Sequence, residues 1–226
     1  MIYFQANQLL KSDLPKFPES FEMFGVSFIE GNVYSVGRDC QNSAHSTNIA
    51  VNQILIYQHG DWHQLAMVNG CKNKNQLTKF KFLSLVSLKT TMFALFEKGV
   101  LQITLVENGV FTKEHQFEEN LLDCKDFAAI GLEDRIYIIG GKSGKGEILS
   151  KGVALDTTME KHSIASMSTP RQGAAVATLG GQIYVAGGYN YEGRWLRSVE
   201  SYNPGDALVM LTMLTLVLQK CPSEGS

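Results

Sequence analysis

Two segments decide how this chain folds: Phe127-Ala-Ala-Ile-Gly-Leu-Glu-Asp-Arg-Ile-Tyr-Ile-Ile-Gly-Gly141 and Gly173-Ala-Ala-Val-Ala-Thr-Leu-Gly-Gly-Gln-Ile-Tyr-Val-Ala-Gly-Gly188. Each reads as an apolar run, a short polar or glycine turn, a second apolar run with one tyrosine, and a Gly-Gly pair. Tyr137 and Tyr184 lie 47 residues apart, and Gly140 and Gly187 keep the same spacing. Self-similarity at a fixed period of this size marks a repeat architecture.

Within a unit the chemistry specifies strands. Ala128 to Leu132 and Ile136 to Ile139 are short, β-rich runs joined by Glu133-Asp134-Arg135, the pattern of a hairpin. Gly180-Gly181-Gln182 makes the same turn in the second unit. The Gly-Gly pair belongs where the backbone needs a positive φ or comes close to a neighbour. Val153 to Asp156 and Val199 to Tyr202 supply a third strand, closed by the turn formers Asp156-Thr-Thr and Asn203-Pro-Gly. Lys161 to Ala165 can supply a fourth. Four strands in about 45 residues is the blade of a β-propeller.

These residues resemble the Kelch repeat. A Kelch blade carries an Ile-Tyr-x-x-Gly-Gly segment, a Val-Glu-x-Tyr-(Asp/Asn)-Pro segment, a tryptophan, and a methionine followed by Pro-Arg. Ile136-Tyr137 with Gly140-Gly141, Ile183-Tyr184 with Gly187-Gly188, Ser198 to Pro204 including Tyr202, Met167 and Pro170-Arg171 match. Leu155 stands where a tyrosine belongs, and His162 where the tryptophan belongs.

Working outward, residues 123–170 and 171–206 are the two clear blades, the second incomplete. Residues 21–67 read as a degenerate blade. Met23 to Ile29, the turn Glu30-Gly31-Asn32, Val33-Tyr34 to Gly37 and Asn52 to Tyr57 follow the pattern, but Arg38 replaces the second glycine. Trp62 is its packing aromatic. Residues 68–122 form the most degenerate unit. Phe82 to Leu88, Thr91 to Phe96, Val100 to Val106 and Val110 to Phe117 read as strands, and Asn108-Gly109 is a strong hairpin signal. Residues 1–20 are an N-terminal segment with a proline-marked loop. Residues 207–226 are an atypical tail whose apolar part, Ala207 to Leu218, is too short for a membrane helix. The expected fold is all-β: a Kelch-type propeller of about four four-stranded blades. Kelch rings usually have six or seven, so the propeller is expected to be incomplete and open. An arc without caps leaves blade faces unburied, which predicts a marginally stable, aggregation-prone chain.

Composition narrows the function. The 226 residues carry a net charge of −2 with no basic stripe, which argues against nucleic-acid binding. Cys40, Cys71, Cys124 and Cys221 are scattered without a CxxC pair, as expected of reduced thiols. The first 20 residues lack the order of a secretory signal, which points to a cytoplasmic protein. Gly140 to Gly146 looks like a phosphate loop but lacks the G-x-x-x-x-G-K-[ST] spacing, and reads as a hairpin loop. Glu118-Glu119 and Asp123 to Asp126 have no partner constellation for acid/base work. His59 and His63 sit in a turn rather than on a helix face, and His45, His115 and His162 are isolated, so no metal site is expected. No catalytic residue, metal or cofactor is expected, and the chain is read as a non-enzyme.

A binding surface remains. Loops at a propeller's mouth carry functional residues on a rigid scaffold. Tyr189-Asn190-Tyr191-Glu-Gly-Arg194-Trp195 concentrates the residue types of interface hot spots. Lys142 and Lys145 lie on the equivalent loop one blade earlier. The Kelch resemblance makes Arg171 a candidate for contact with an acidic partner, through bidentate carboxylate geometry. It implies a protein-interaction module whose partner is a substrate or cytoskeletal protein. The role it suggests is substrate recognition in a kelch-like ubiquitin-ligase adaptor. Contact with a cullin ligase would come only through a BTB domain, absent from these residues. The alternatives are an actin-binding Kelch protein, a Kelch-propeller enzyme of the copper-oxidase or sugar-isomerase type, and a truncated non-functional product. Neither nucleic acid nor membrane is expected as a partner.

Overall fold

The computed structural model describes residues 21–39, 53–67, 82–96, 98–107, 109–117, 124–191 and 194–205. The expectations for residues 1–20, for the tail 207–226, and for Cys40, Cys71, Cys221, His45, Glu118, Glu119 and Asp123 lie outside the described residues. Among the described residues every regular element is a strand.

The strands form successive antiparallel meanders. Blade 1 is β1 (Phe21–Ile29), β2 (Asn32–Asp39), β3 (Gln53–Gln58) and β4 (Asp61–Met67), in that spatial order. Blade 2 is β5 (Phe82–Leu88), β6 (Thr91–Phe96), β7 (Gly99–Val106) and β8 (Gly109–Gln116). Before blade 3 comes the short β9 (Cys124–Lys125). Blade 3 follows with β10 (Ala128–Leu132) and β11 (Arg135–Ile139). Beyond them β12 (Lys142–Ser143) folds back onto β9, and the blade is completed by β13 (Gly152–Leu155) and β14 (Lys161–Ile164). Blade 4 has three described strands, β15 (Ala175–Leu179), β16 (Gln182–Ala186) and β17 (Val199–Tyr202). The first strands β1, β5, β10 and β15 neighbour one another in sequence, so the blades fan around one axis. Among the described residues the arrangement is a four-blade β-propeller that does not close.

Three apolar cores hold the fan together, one between each pair of blades. They explain why the decisive segments read as continuous apolar runs rather than as alternation. Successive side chains on a strand point to opposite faces, and an inner blade has a neighbour on both. On β6, Met92, Ala94 and Phe96 face blade 1, while Phe93 and Leu95 face blade 3. On β11, Ile136 and Ile138 face blade 2, while Tyr137 and Ile139 face blade 4. Each fully buried isoleucine contributes about 1.5–3 kcal/mol of transfer free energy. In the end blade the pattern turns to alternation: Ile183 and Val185 of β16 are buried against blade 3, and Tyr184 between them is half-buried.

The Gly-Gly pair locks the end of each second strand. Gly140 and Gly141 have φ of 69° and 99°. A Cβ on Gly140 would lie 2.5 Å from the Arg171 carbonyl oxygen, and one on Gly141 2.8 Å from that of Lys125. The pair is therefore glycine for conformation and for space. Gly187-Gly188 repeats the conformation, and a Cβ on Gly188 would lie 2.9 Å from the Gln172 carbonyl oxygen.

Candidate functional site

The loops that leave the Gly-Gly ends of β11 and β16 emerge on one rim and lean on each other. Residues 142–148 form a small hairpin. The Ser143 N–H donates to the Glu147 carbonyl at 2.7 Å, and the Glu147 N–H returns to Ser143 Oγ at 3.1 Å. Lys142 is half-buried at its base and Lys145 exposed at its tip. This closed hairpin is why the glycine-rich sequence makes no phosphate loop. The blade 4 loop is built the same way. Tyr189 and Gln172 exchange both backbone hydrogen bonds, and Asn190 N–H donates to the Arg194 carbonyl at 3.2 Å. Asn190 Oδ1 also accepts from the Arg194 N–H at 3.3 Å. The Tyr189 and Trp195 rings meet edge to face, 5.4 Å between centroids. Tyr191 reaches back across the blade boundary and donates its hydroxyl to the Ile148 carbonyl at 2.6 Å. The structure thus brings Lys142, Lys145, Tyr189, Asn190, Tyr191, Arg194 and Trp195 onto one rim. On it Tyr191 is 60% and Trp195 81% exposed.

Arg171 is the exception. The sequence suggests a carboxylate contact at the loop surface, but the side chain is only 1% exposed, and its carboxylate is internal. Nε and Nη2 donate to Glu200 Oε1 at 3.2 and 2.9 Å. Nη1 donates to the carbonyls of Gly187 and Ser198 at 2.8 and 3.0 Å, and Nη2 to Ser198 Oγ at 2.7 Å. Glu200 is equally buried, and it also accepts the Ser168 and Thr169 N–H groups at 2.7 and 3.2 Å. Burial pushes the Glu200 carboxyl up; the Ser168 N–H and the Arg171 guanidinium outweigh it and leave the pKa lowered. Because the Arg171 backbone is bonded to Gly141 and Leu149 of blade 3, the pair clamps blade 4 to blade 3. Glu200 lies inside Val199-Glu-Ser-Tyr202, where the sequence motif alone gives it no partner. Glu200 is the one buried residue of β17, whose other residues are half-buried.

At the 47-residue offset, blade 3 has Cys124 in place of Arg171 and Val153 in place of Glu200. The side chains are too short to fill the slot, and a cavity of about 240 Å³ opens there, lined by Cys124, Ile138, Gly140, Leu149, Lys151 and Val153. A polar cleft of about 410 Å³ lies at the opposite rim, between Glu133, Asp134 and Arg135 of one hairpin and Gly180-Gly181 of the next.

The motif tyrosines pack as blade residues. Tyr34 is buried between blades 1 and 2. Tyr137 is buried between blades 3 and 4, its ring 6.0 Å from that of Tyr202. Trp62 stacks at a tilt on Tyr57, 5.4 Å away. Among the described residues, one group could bring three metal-type ligands together: Asp156, Glu160 and His162, with ligand atoms within 4.8 Å of one another. Its geometry is that of a loop brace. Asp156 Oδ1 accepts from Thr158 Oγ1, the Thr158 N–H and the Glu160 N–H, and Oδ2 accepts from His162 Nε2 at 2.7 Å. The Thr158 hydroxyl and the His162 ring hold the Asp156 carboxyl well below the usual carboxylate range.

Residues 170–206 match the family model described as the Kelch motif. Blade 4 thus carries a Kelch motif, within a chain that folds as a β-propeller. The solved structure of YjhT resembles it in fold, with a TM-score of 0.58 over 84% of this chain and 67% of that one, at 10% sequence identity. No curated protein matches the chain. The Kelch motif covers blade 4 and its clamp, the part of the propeller where Arg171, Gly187-Gly188, Glu200 and Tyr202 all occur. The Kelch motif and the propeller fold support a protein-interaction module in general terms, and the rim above blades 3 and 4 is a candidate surface among the described residues.

Proposed function

We propose that the rim of blades 3 and 4 is the docking surface of a cytoplasmic, non-enzymatic Kelch module that recognises a protein substrate for a ubiquitin ligase. The observation that carries the reading is the exposed, braced aromatic pair Tyr191 and Trp195, flanked by Arg194 and Lys145. Loops stiffened by their own hydrogen bonds lose little conformational entropy on binding, and tyrosine, tryptophan and arginine dominate interface energetics. The adaptor role rests on the Kelch resemblance, with the cullin contact assigned to a BTB domain outside these residues. Actin binding is the second reading on the same resemblance.

The test is proximity labelling and affinity capture with the chain, a Tyr191→Ala/Arg194→Ala variant, and an Arg135→Ala control on the opposite rim. A partner lost in the rim variant and kept in the control supports docking at this surface. Accumulation of that partner when the chain is depleted supports the adaptor role, and co-sedimentation with actin filaments would move the reading to the actin class. Equal capture by all three forms would refute the rim as the site.

A further inference from the structure

We propose that the polar cleft between the hairpin turns of blades 3 and 4, on the rim opposite the aromatic loops, binds a basic segment of a partner protein through Tyr137, Glu133 and Asp134. The cleft holds about 410 Å³ and has Tyr137 at its floor. The Tyr137 ring is fixed in the core between the two blades, 6.0 Å from that of Tyr202, and the residue is 3% exposed. Its hydroxyl end opens into the cleft, within reach of the charges of Arg135, Glu133 and Asp134. Among the described residues that hydroxyl has no hydrogen-bond partner.

The repeat shows what is missing. At the 47-residue offset Tyr184 donates its hydroxyl to Gln182 Oε1 at 3.0 Å. Blade 3 has Arg135 in place of Gln182, and a guanidinium carries donors only. The Tyr137 hydroxyl therefore lacks the acceptor that its counterpart finds in its own blade. Leaving a buried donor unpaired is costly. Burial also raises the Tyr137 pKa, so the phenol keeps its proton at neutral pH and can donate it. A main-chain carbonyl entering the cleft supplies the acceptor.

The walls set the charge of the ligand. On the blade 3 side, among the described residues, Glu133 makes no ion pair and Asp134 makes only a loose one, 4.0 Å to Arg135 Nε. On the blade 4 side the turn is Gly180-Gly181, where an added Cβ would meet nothing within 4 Å, so this wall leaves room for an incoming side chain. Two carboxylates against one guanidinium make the cleft net negative. The same sign continues along the rim: within the other described hairpin turns lie Glu30, Glu107, Asp156 and Glu160, with Lys89 as the sole cation. A field of one sign steers ligands of the other. An arginine or lysine on an extended segment meets both demands. Its cationic head pairs with Glu133 and Asp134 through charge-assisted hydrogen bonds, and a carbonyl of its own main chain accepts from Tyr137. An acidic segment would leave the carboxylates facing like charge. The cleft and the aromatic loops lie on opposite rims, so the two surfaces can be tested separately.

The test is fluorescence anisotropy of the labelled pentapeptide Ala-Arg-Ala-Arg-Ala on the full chain, with Ala-Glu-Ala-Glu-Ala as the acidic control, at low ionic strength, where such pairs are least screened. The arginine peptide is expected to bind and the glutamate peptide not to. Glu133→Gln/Asp134→Asn is expected to weaken binding about tenfold or more, as the charge-assisted bonds are lost. Tyr137→Phe is the decisive arm. It changes no charge, so attraction by the rim's field alone would not register it, whereas loss of one hydrogen bond weakens binding about fivefold. Because the hydroxyl has no partner within the chain, the melting midpoint of Tyr137→Phe should be unchanged or raised. Trp195→Ala, on the other rim, should bind the peptide as wild type does. Failure of folded wild type to bind the arginine peptide would overturn the proposal. So would equal affinity in Tyr137→Phe, or a lowered melting midpoint in that variant. Binding of free spermidine in place of the peptide, with the same dependence on Tyr137, would overturn the protein partner and assign the cleft to a small polyamine.

Discussion

Replacing Arg171 with alanine removes five hydrogen bonds at once and leaves the Glu200 carboxylate buried without its counter-charge. Removing one member of a buried ion pair costs about 3–5 kcal/mol, mostly as desolvation of the charge left behind. In a domain of this size about 1 kcal/mol moves the melting midpoint by 2–4 °C, so a fall of roughly 10 °C is expected. The companion variant Arg171→Met/Glu200→Leu takes away both charges. It is expected to recover about 2 kcal/mol of the loss, but not all, because the N–H groups of Ser168 and Thr169 then lose their acceptor. Urea titrations at pH 7 measure both. Acid titration supplies a second arm. Because the folded Glu200 pKa is lowered, its contribution is fully present above the unfolded value of about 4.3 and is lost as pH falls through the folded pKa. Glu200→Gln should flatten that part of the acid profile. An alanine variant within about 1 kcal/mol of wild type, or a double variant no better than the single, would show that the pair does not clamp the blades.

The cavity beside Cys124 allows the converse experiment: Cys124→Arg with Val153→Glu rebuilds the clamp in blade 3. The singles are each expected to destabilise and the pair to couple favourably by about 2 kcal/mol; strict additivity in the melts would refute the equivalence of the two slots. Gly141→Ala is expected to cost about 2–3 kcal/mol, since it adds a clash to a left-handed conformation. Gly181→Ala, with φ of 77° and open space around its Cβ, should cost about 1–2 kcal/mol. Equal losses at the two sites in denaturant titration would exclude the clash. Tyr191→Phe removes only the hydroxyl bond to Ile148, and a loss of about 1 kcal/mol is expected, with faster hydrogen exchange across residues 189–191. Unchanged exchange would mean that the two loops are not coupled.

Much of the fold is legible in local chemistry. The hairpins at 132–135 and 179–182, the Gly-Gly stops and the third strands fall where turn residues and β-rich runs place them. Strands β5 to β8 were readable even though that unit lacks Gly-Gly and Ile-Tyr, because strand and turn signals are local. The candidate rim was legible in part. The loop aromatics and lysines share one rim, as the offset between loops implies. The role of Arg171 is not legible in this way, because position in a motif does not say which way a side chain goes. Its guanidinium turns inward, toward an acid 29 residues later in the chain.

The sequence by itself determined the repeat, the strand order within each blade and the glycine positions, since these depend on backbone sterics and nearest neighbours along the chain. Only the tertiary structure decided which faces are buried. Ile148 and Trp195 occupy the same place in successive repeats, yet one is buried under the next blade's loop and the other stands in solvent. Ile130 is packed while Ala177 is open. Burial at a repeat position is set by whether another blade lies against it. Among the described residues that depends on a blade's place in the arc, which no residue within a unit encodes.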